Sequence, residues 1–299
     1  MANLKEIRAR IKAVKGTQQV TKAMKMVAAA KLRRAQDQML QLRPYASKLR
    51  EIIGNVVSVL DAEEIPSRLV EAREVRNVLV VVVTSNRGLA GPFNTNIIRQ
   101  VHQFAAEHHK ALLDSGRVQF ICIGRKGFEY FRKRGFPVND RNYDVFAGLS
   151  FGKVNEVTDL IFRKFLSGEV DKVYLAYNEF KNVMTQIRRV DAFLPLAVDS
   201  IQGGSAQSSA RKSDYIFEPG REEILTDLIP KALRIQVYRA VLESNASEQG
   251  ARMVAMDAAT ENAEELLKQL RLNYNKARQA SITKEILEIA AGANALAAQ

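Results

Sequence analysis

The chain of 299 residues is long enough to bury a sizeable core, and scarce glycine and proline beside abundant Ala, Leu, Lys, Arg, Glu and Gln point to long helices. Its longest apolar run, Val78 to Val83, is far short of the roughly 20 residues that a membrane-crossing helix needs, and its single cysteine, Cys122, excludes an internal disulfide and suits a reducing, cytoplasmic compartment. The formal charge of +12 sits mostly at one end: in residues 1–60 thirteen cations stand against three acids, whereas acids slightly outnumber bases from Asp214 onward.

The basic, amphipathic start MANLKEIRARIKAVK lacks the serine of a transit peptide and runs unbroken into a heptad pattern, so it reads as mature structure. Alternate steps of three and four from Leu4 reach Ile7, Ile11, Val14, Gln18, Thr21, Lys25, Ala28, Leu32, Ala35, Met39, Leu42, Ala46, Leu49, Ile53, Val56 and Leu60. Only Gln18, Thr21 and Lys25 interrupt an apolar seam. A strict 3.5-residue repeat held this long is the pattern of a coiled coil, since a straight helix drifts away from it. An arm over 1–60 would run for roughly 85 Å. Pro44 removes one donor inside the arm and predicts a local kink, not an end, because the register passes through it.

Over 75–200 the period shifts to two, or to short apolar runs bounded by turns. Buried strands are predicted at Asn77–Ser85 and Arg117–Gly124, and further strands at Lys172–Phe180 and Val183–Leu194. Helices are predicted at Thr95–Asp114, Arg125–Arg134 and Val154–Leu166. Strands alternating with helices imply βαβ crossovers and a mainly parallel, Rossmann-like layer with an antiparallel hairpin at its edge. GGSAQSSARKS, residues 203–213, reads as a linker. A second arm over 214–299 steps through Leu242, Ala246, Gln249, Met253, Met256, Thr260, Ala263, Leu267, Leu270, Tyr274 and Ala277, its helix expected from about Arg221 to about Ala291. Two arms at opposite ends of one chain most simply pair with each other. The predicted fold class is therefore α/β: a long antiparallel two-helix coiled coil formed by the terminal arms, with an inserted Rossmann-like domain.

Catalytic chemistry finds no foothold. The strand-to-helix loop SNRGLAGPFN lacks GxGxxG and GK[ST], and Pro92 removes a donor that a phosphate cradle would use. GRKGFEY at Gly124 has glycines and bases that could hold an anion, but a turn opening a helix explains it as well. His102, His108 and His109 read as surface residues on one helix, and Cys122 as a small core residue in QFICIG. No catalytic residue, cofactor site or metal site is nominated. Two rival classes are a Rossmann-like nucleotide-binding enzyme and a basic coiled-coil protein that binds nucleic acid. The first lacks its motif, and the second lacks interleaved aromatics before Tyr45.

The segment ITKEILEIAAGANA at Ile282–Ala295, with Glu285 and Glu288 spaced between Ile-Thr and Gly-Ala, resembles the pattern by which the γ subunit family of F-type ATP synthases is known. IRARIKAVKGTQQVTKAMKMVAAAKLRRAQ, RPYA at Arg43–Ala46, TSNRGLAGPFNTN, YNEFKN and ASEQGARMVAMDAATENA resemble further family segments in family order. The resemblance implies a non-catalytic central shaft that couples a membrane c-ring to a ring of α and β subunits at the cytoplasmic face of the bacterial inner membrane. It implies contacts with the catalytic ring at Met24, Arg278 and Gln279, and an apolar bearing at Ile286, Leu287 and Ile289. SDYIFEP nominates Tyr215 and Glu218 for contacts with the membrane ring and the ε subunit. Asn86 and Pro92 depart from the usual aspartate and glycine, and a cysteine-pair insertion of the chloroplast type is absent.

Overall fold

The computed structural model describes residues 4–57, 68–139, 145–196 and 220–297. Tyr215, Glu218 and the predicted linker 203–213 lie outside the described residues. Two long helices, α1 (Leu4–Val57) and α6 (Arg221–Ala297), flank an α/β insert. α1 continues through Pro44, and α6 extends to Ala297, beyond the predicted end near Ala291. The chain divides into two compact units, Met1–Ala28 with Met253–Gln299, and Ala29–Arg252.

In the first unit the heptad positions are the covered ones. Leu4, Ile7, Ile11 and Val14 are half-buried, Ala28 is buried, and Met256, Ala263, Leu267 and Leu270 are buried on α6. Two of the polar interruptions of the seam, Thr21 and Lys25, meet polar partners, and Arg8 beside the seam meets a third. Thr21 Oγ1 lies 2.8 Å from Thr260 Oγ1, Lys25 Nζ donates to Asp257, and Arg8 Nη2 donates to the Tyr274 hydroxyl at 2.7 Å. Such matched pairs cost some apolar burial and favour one register over its neighbours. The seam ends near Ala277. From Ile282 through Ala291 every residue of α6 is exposed.

The second unit is built on a sheet of five strands: β1 (Val78–Val83), β2 (Val118–Ile123), β3 (Val138–Asn139), β4 (Lys172–Phe180) and β5 (Gln186–Leu194). Their spatial order is β3-β2-β1-β4-β5, parallel except for the β4/β5 hairpin. Helices α2 (Phe93–His108), α3 (Lys110–Asp114), α4 (Arg125–Lys133) and α5 (Phe151–Leu166) complete it. β1 is buried on both faces, as an all-valine and leucine strand between helical layers must be. Leu79, Val81 and Val83 join a core with α5 residues, Leu49 and Ile53 of α1, and Leu225, Ile229 and Leu233 of α6. Val78, Val80 and Val82 join the opposite core with α2 and Phe131 of α4.

Three of the predicted boundaries shift for a local reason, and one strand, β3, stands where none is predicted. The single helix predicted over Thr95–Asp114 breaks at His109, whose φ of −138° leaves the helical region while its ring nitrogen bonds the Tyr174 hydroxyl. Helix α5 starts earlier, at Phe151, because Ser150 caps it by accepting from the Lys153 amide. The last strand starts at Gln186, not Val183, since the Asn182 side chain accepts from the amides of Met184 and Thr185 and makes an Asx turn. Strand β3 has two residues, too short for any alternation to show.

Candidate functional site

In an open α/β sheet a ligand is expected beyond the carboxyl ends of the strands, where the strand order reverses. Here β1 has β2 on one side and β4 on the other, so that crevice opens at Thr84 and Ser85. Protein groups fill it. The first amides of α4 are all taken: Arg125 N–H by Asn86 Oδ1 at 3.0 Å, Lys126 N–H by Ser85 O at 3.0 Å, and Gly127 N–H by Thr84 Oγ1 at 2.9 Å. An incoming phosphate would find none of these three amides free. Gly124 adopts φ 111°, and a Cβ on it would stand 1.9 Å from Thr84 O, so its glycine serves the close approach of strand and helix. Asn86 acts through a side-chain oxygen that aspartate also has. Pro92 sits at the start of α2, where an amide donor is not needed.

Helix α6 closes the same end. Arg252 donates to the carbonyls of Gly88 and Arg87 and pairs with Glu248, both side chains being almost wholly buried. Desolvation raises the Glu248 carboxyl above its ordinary value, with Arg252 opposing. Ala251 packs on Ala90 and Phe93. A Cβ on Gly250 would be 3.4 Å from Val183 O, and Ser247 Oγ donates to Asn178 O at 3.0 Å. The hairpin and the β1 loop thus grip a stretch of α6, residues 246–251, that is buried all round.

Among the described residues Cys122, His102 and His109 have shifted values and sit in packed surroundings. Burial pushes the Cys122 thiol up to about 12, which suppresses the nucleophilic thiolate. Among the described residues no cluster of His, Cys, Asp and Glu could hold a metal. Contrary to the surface reading, His102 is half-buried against Tyr130, Phe131 and Phe136, and His109 is half-buried beside Tyr174; only His108 is exposed. Desolvation, then Arg134, lowers His102; desolvation, then Lys172 and His108, lowers His109. Both are favoured neutral in the fold, so their contribution to stability is complete above the ordinary value of 6.5 and is lost as pH falls below it. His102→Phe, which keeps the ring packing, should therefore flatten the fall in melting temperature between about pH 7 and about pH 5. An unchanged slope in thermal melts would contradict this.

Comparison with known proteins gives the family of the whole chain. A family profile described as ATP synthase matches residues 3–296. The ATP synthase gamma chain of Cytophaga hutchinsonii is 51% identical over 296 residues, covering 99% of both chains. That of Chlorobaculum tepidum is also 51% identical, again over 99% of each. The chain belongs to the ATP synthase gamma chain family. A solved Tetrahymena thermophila mitochondrial ATP synthase, central stalk and c-ring, contains a chain 25% identical, with a TM-score of 0.55 over 80% of this chain and 99% of that one. A chain in the Euglena gracilis mitochondrial ATP synthase, OSCP/F1/c-ring, shares the fold, with a TM-score of 0.64 over 98% of this chain and 94% of that one at 22% identity.

The gamma-chain residues nominated from the sequence fall at separate levels of the first unit. Met24 is half-buried on α1, next to the Lys25–Asp257 pair. Arg278 and Gln279 are exposed on α6 just past the end of the seam. With Met24 level with Asp257, Arg278 lies about 20 residues further along α6, roughly 30 Å away, so these positions form no single site. Ile286, Leu287 and Ile289 are 59%, 62% and 72% exposed. Sequence reading did not single out Glu248 and Arg252, whose spacing of four is all that the sequence shows of the pair. It did flag Thr21 and Lys25, as breaks in the seam.

Proposed function

We propose that α1 and α6 pair as an antiparallel coiled coil and serve as the central rotor shaft of an F-type ATP synthase. The subunit is non-catalytic. It couples ion-driven rotation of the membrane c-ring to conformational cycling of the α/β ring, and its partners are the α, β and ε subunits and the c-ring. Among the described residues no helix is long and apolar enough to cross a membrane, which fits a peripheral place in the F1 head, here assigned to the cytoplasmic face of a bacterial inner membrane.

The observation that carries the shaft reading is the order of the cross-helix contacts: Arg8 with Tyr274, Thr21 with Thr260, Lys25 with Asp257. As one number rises the other falls, as in an antiparallel pair. A shaft changes the affinity of surrounding sites only through contacts that differ at each angle, because coupling between sites requires differential contacts in the two states. Met24, Arg278 and Gln279 supply such contacts to the catalytic ring, and Ile286, Leu287 and Ile289 form the bearing at the tip. Tyr215 and Glu218 are assigned to the contacts with the c-ring and ε.

Cysteine pairs placed along the two seams, Val14 with Leu267 or Ile7 with Tyr274, test the pairing. Oxidation should close each pair within one chain, while parallel combinations such as Val14 with Met256 should stay open. Efficient closure of the parallel combinations would reject it. Co-purification with α, β and ε subunits tests the assembly, and recovery only as a free monomer holding a dinucleotide would favour an enzyme instead.

A further inference from the structure

Within the second unit a cavity of about 320 Å³ lies between α1, α6 and the β4/β5 hairpin, beside a second chamber of about 460 Å³. Ala46 and Arg239 line both. Leu49, Ile53, Leu175, Ile229 and Leu233 give the first chamber an apolar floor. Its size falls within the usual range for small-molecule sites, roughly 300–1,000 Å³.

The polar rim is unusual for a packing defect. Glu243 lines the second chamber with its side chain only 6% exposed. Its Oε1 accepts from Arg239 Nε at 2.7 Å, but Oε2 has no hydrogen-bond partner. A buried carboxylate oxygen without a partner is costly, and a donor from outside the chain would relieve it. Tyr177 and Asp191 line the first chamber and are joined by a 3.2 Å hydrogen bond. Desolvation, then the Asp191 and Glu243 charges, raises the Tyr177 hydroxyl, which therefore stays protonated.

We infer that the paired chambers are a binding site for a small, uncharged amphipathic molecule with an apolar body and one strong hydrogen-bond donor, such as a phenol. The apolar body fits the floor of the first chamber, and the hydroxyl would serve Glu243. Charge among the lining residues favours a neutral ligand: Arg43 and Arg239 already offset Glu243 and Asp191, so an added ion would enter unpaired. A hydroxyl donating to a carboxylate is among the stronger neutral-to-ion contacts. The site goes beyond the shaft reading and does not depend on it.

The probes are para-propylphenol and its methyl ether para-propylanisole, which share a body and differ in the donor. Titrated by calorimetry into the full chain, the phenol should bind saturably at one site and at least about tenfold more tightly than the ether. Glu243→Gln should bring the two within about twofold of each other. Ala232→Phe fills the first chamber without touching the carboxylate, and should abolish binding of both probes while leaving the fold intact by circular dichroism. No saturable binding, equal affinity of phenol and ether, or unchanged binding by Ala232→Phe would each overturn the proposal, the last two even if Glu243→Gln fails to fold.

Discussion

Replacing Leu287 and Ile289 by aspartate should leave the isolated chain as stable as before and yet cut recovery of the assembled soluble head by an order of magnitude or more. Both side chains stand on the part of α6 where every residue from Ile282 through Ala291 is exposed, so the substitutions remove no buried side chain among the described residues. Apolar side chains concentrated on one exposed helical segment are expected to be covered by a partner. In the proposed shaft that partner is the collar of the α/β ring, and each aspartate would carry a charge into an apolar sleeve. Full burial of a leucine or isoleucine side chain is worth about 1.5–3 kcal/mol, and forcing in a charge adds to that loss. Melting temperature of the chain alone and yield of assembled head after tandem purification separate the two effects. Normal yield with normal coupling would show that the tip meets no apolar surface.

Arg252→Met should be the most destabilising of the conservative-volume substitutions in the second unit. It removes the partner of a buried carboxylate at Glu248 and the donor to the Arg87 and Gly88 carbonyls in one step. Breaking a buried pair from one side typically costs about 3–5 kcal/mol, whereas replacing both partners by apolar groups is often close to neutral. Glu248→Leu on the Arg252→Met background should therefore recover most of the loss. Urea unfolding of the full chain, followed through the transition of the α/β insert, reads both variants. A loss below about 1 kcal/mol for the single change, the level of an exposed pair, would mean that the carboxylate is not buried as described.

The long elements were legible in the sequence because their signals are long. Every seam position of α1 from Leu4 through Ile53 is buried or half-buried, as a heptad repeat over many turns requires. The valine run of β1 was equally plain, since only a strand covered on both faces can carry it. Short elements failed for the opposite reason. Two residues of β3 have no periodicity, and the break at His109 depends on a hydroxyl at Tyr174, remote in the chain.

The candidate site was legible only in part. LESNASEQGA, residues 242–251, reads as a polar helical face, yet all but Asn245 are buried, because the hairpin and the β1 loop surround the helix. Its small residues, Ser244, Ala246, Ser247, Gly250 and Ala251, record how closely those backbones approach, but hydropathy gives no hint of it. The tip gave a clear signal for a different reason. Its apolar residues, Ile286, Leu287 and Ile289, continue past Ala277, where the heptad steps of the second arm end, and that mismatch is visible in the sequence alone.

A marker bound to a cysteine on the exposed face of the α/β insert, in heads immobilised through the catalytic ring, gives the most direct measurement. On addition of ATP the marker should turn in one direction in discrete steps, since a shaft driven by the catalytic sites must move relative to them. A marker that stays fixed while the same heads hydrolyse ATP would contradict the rotor assignment.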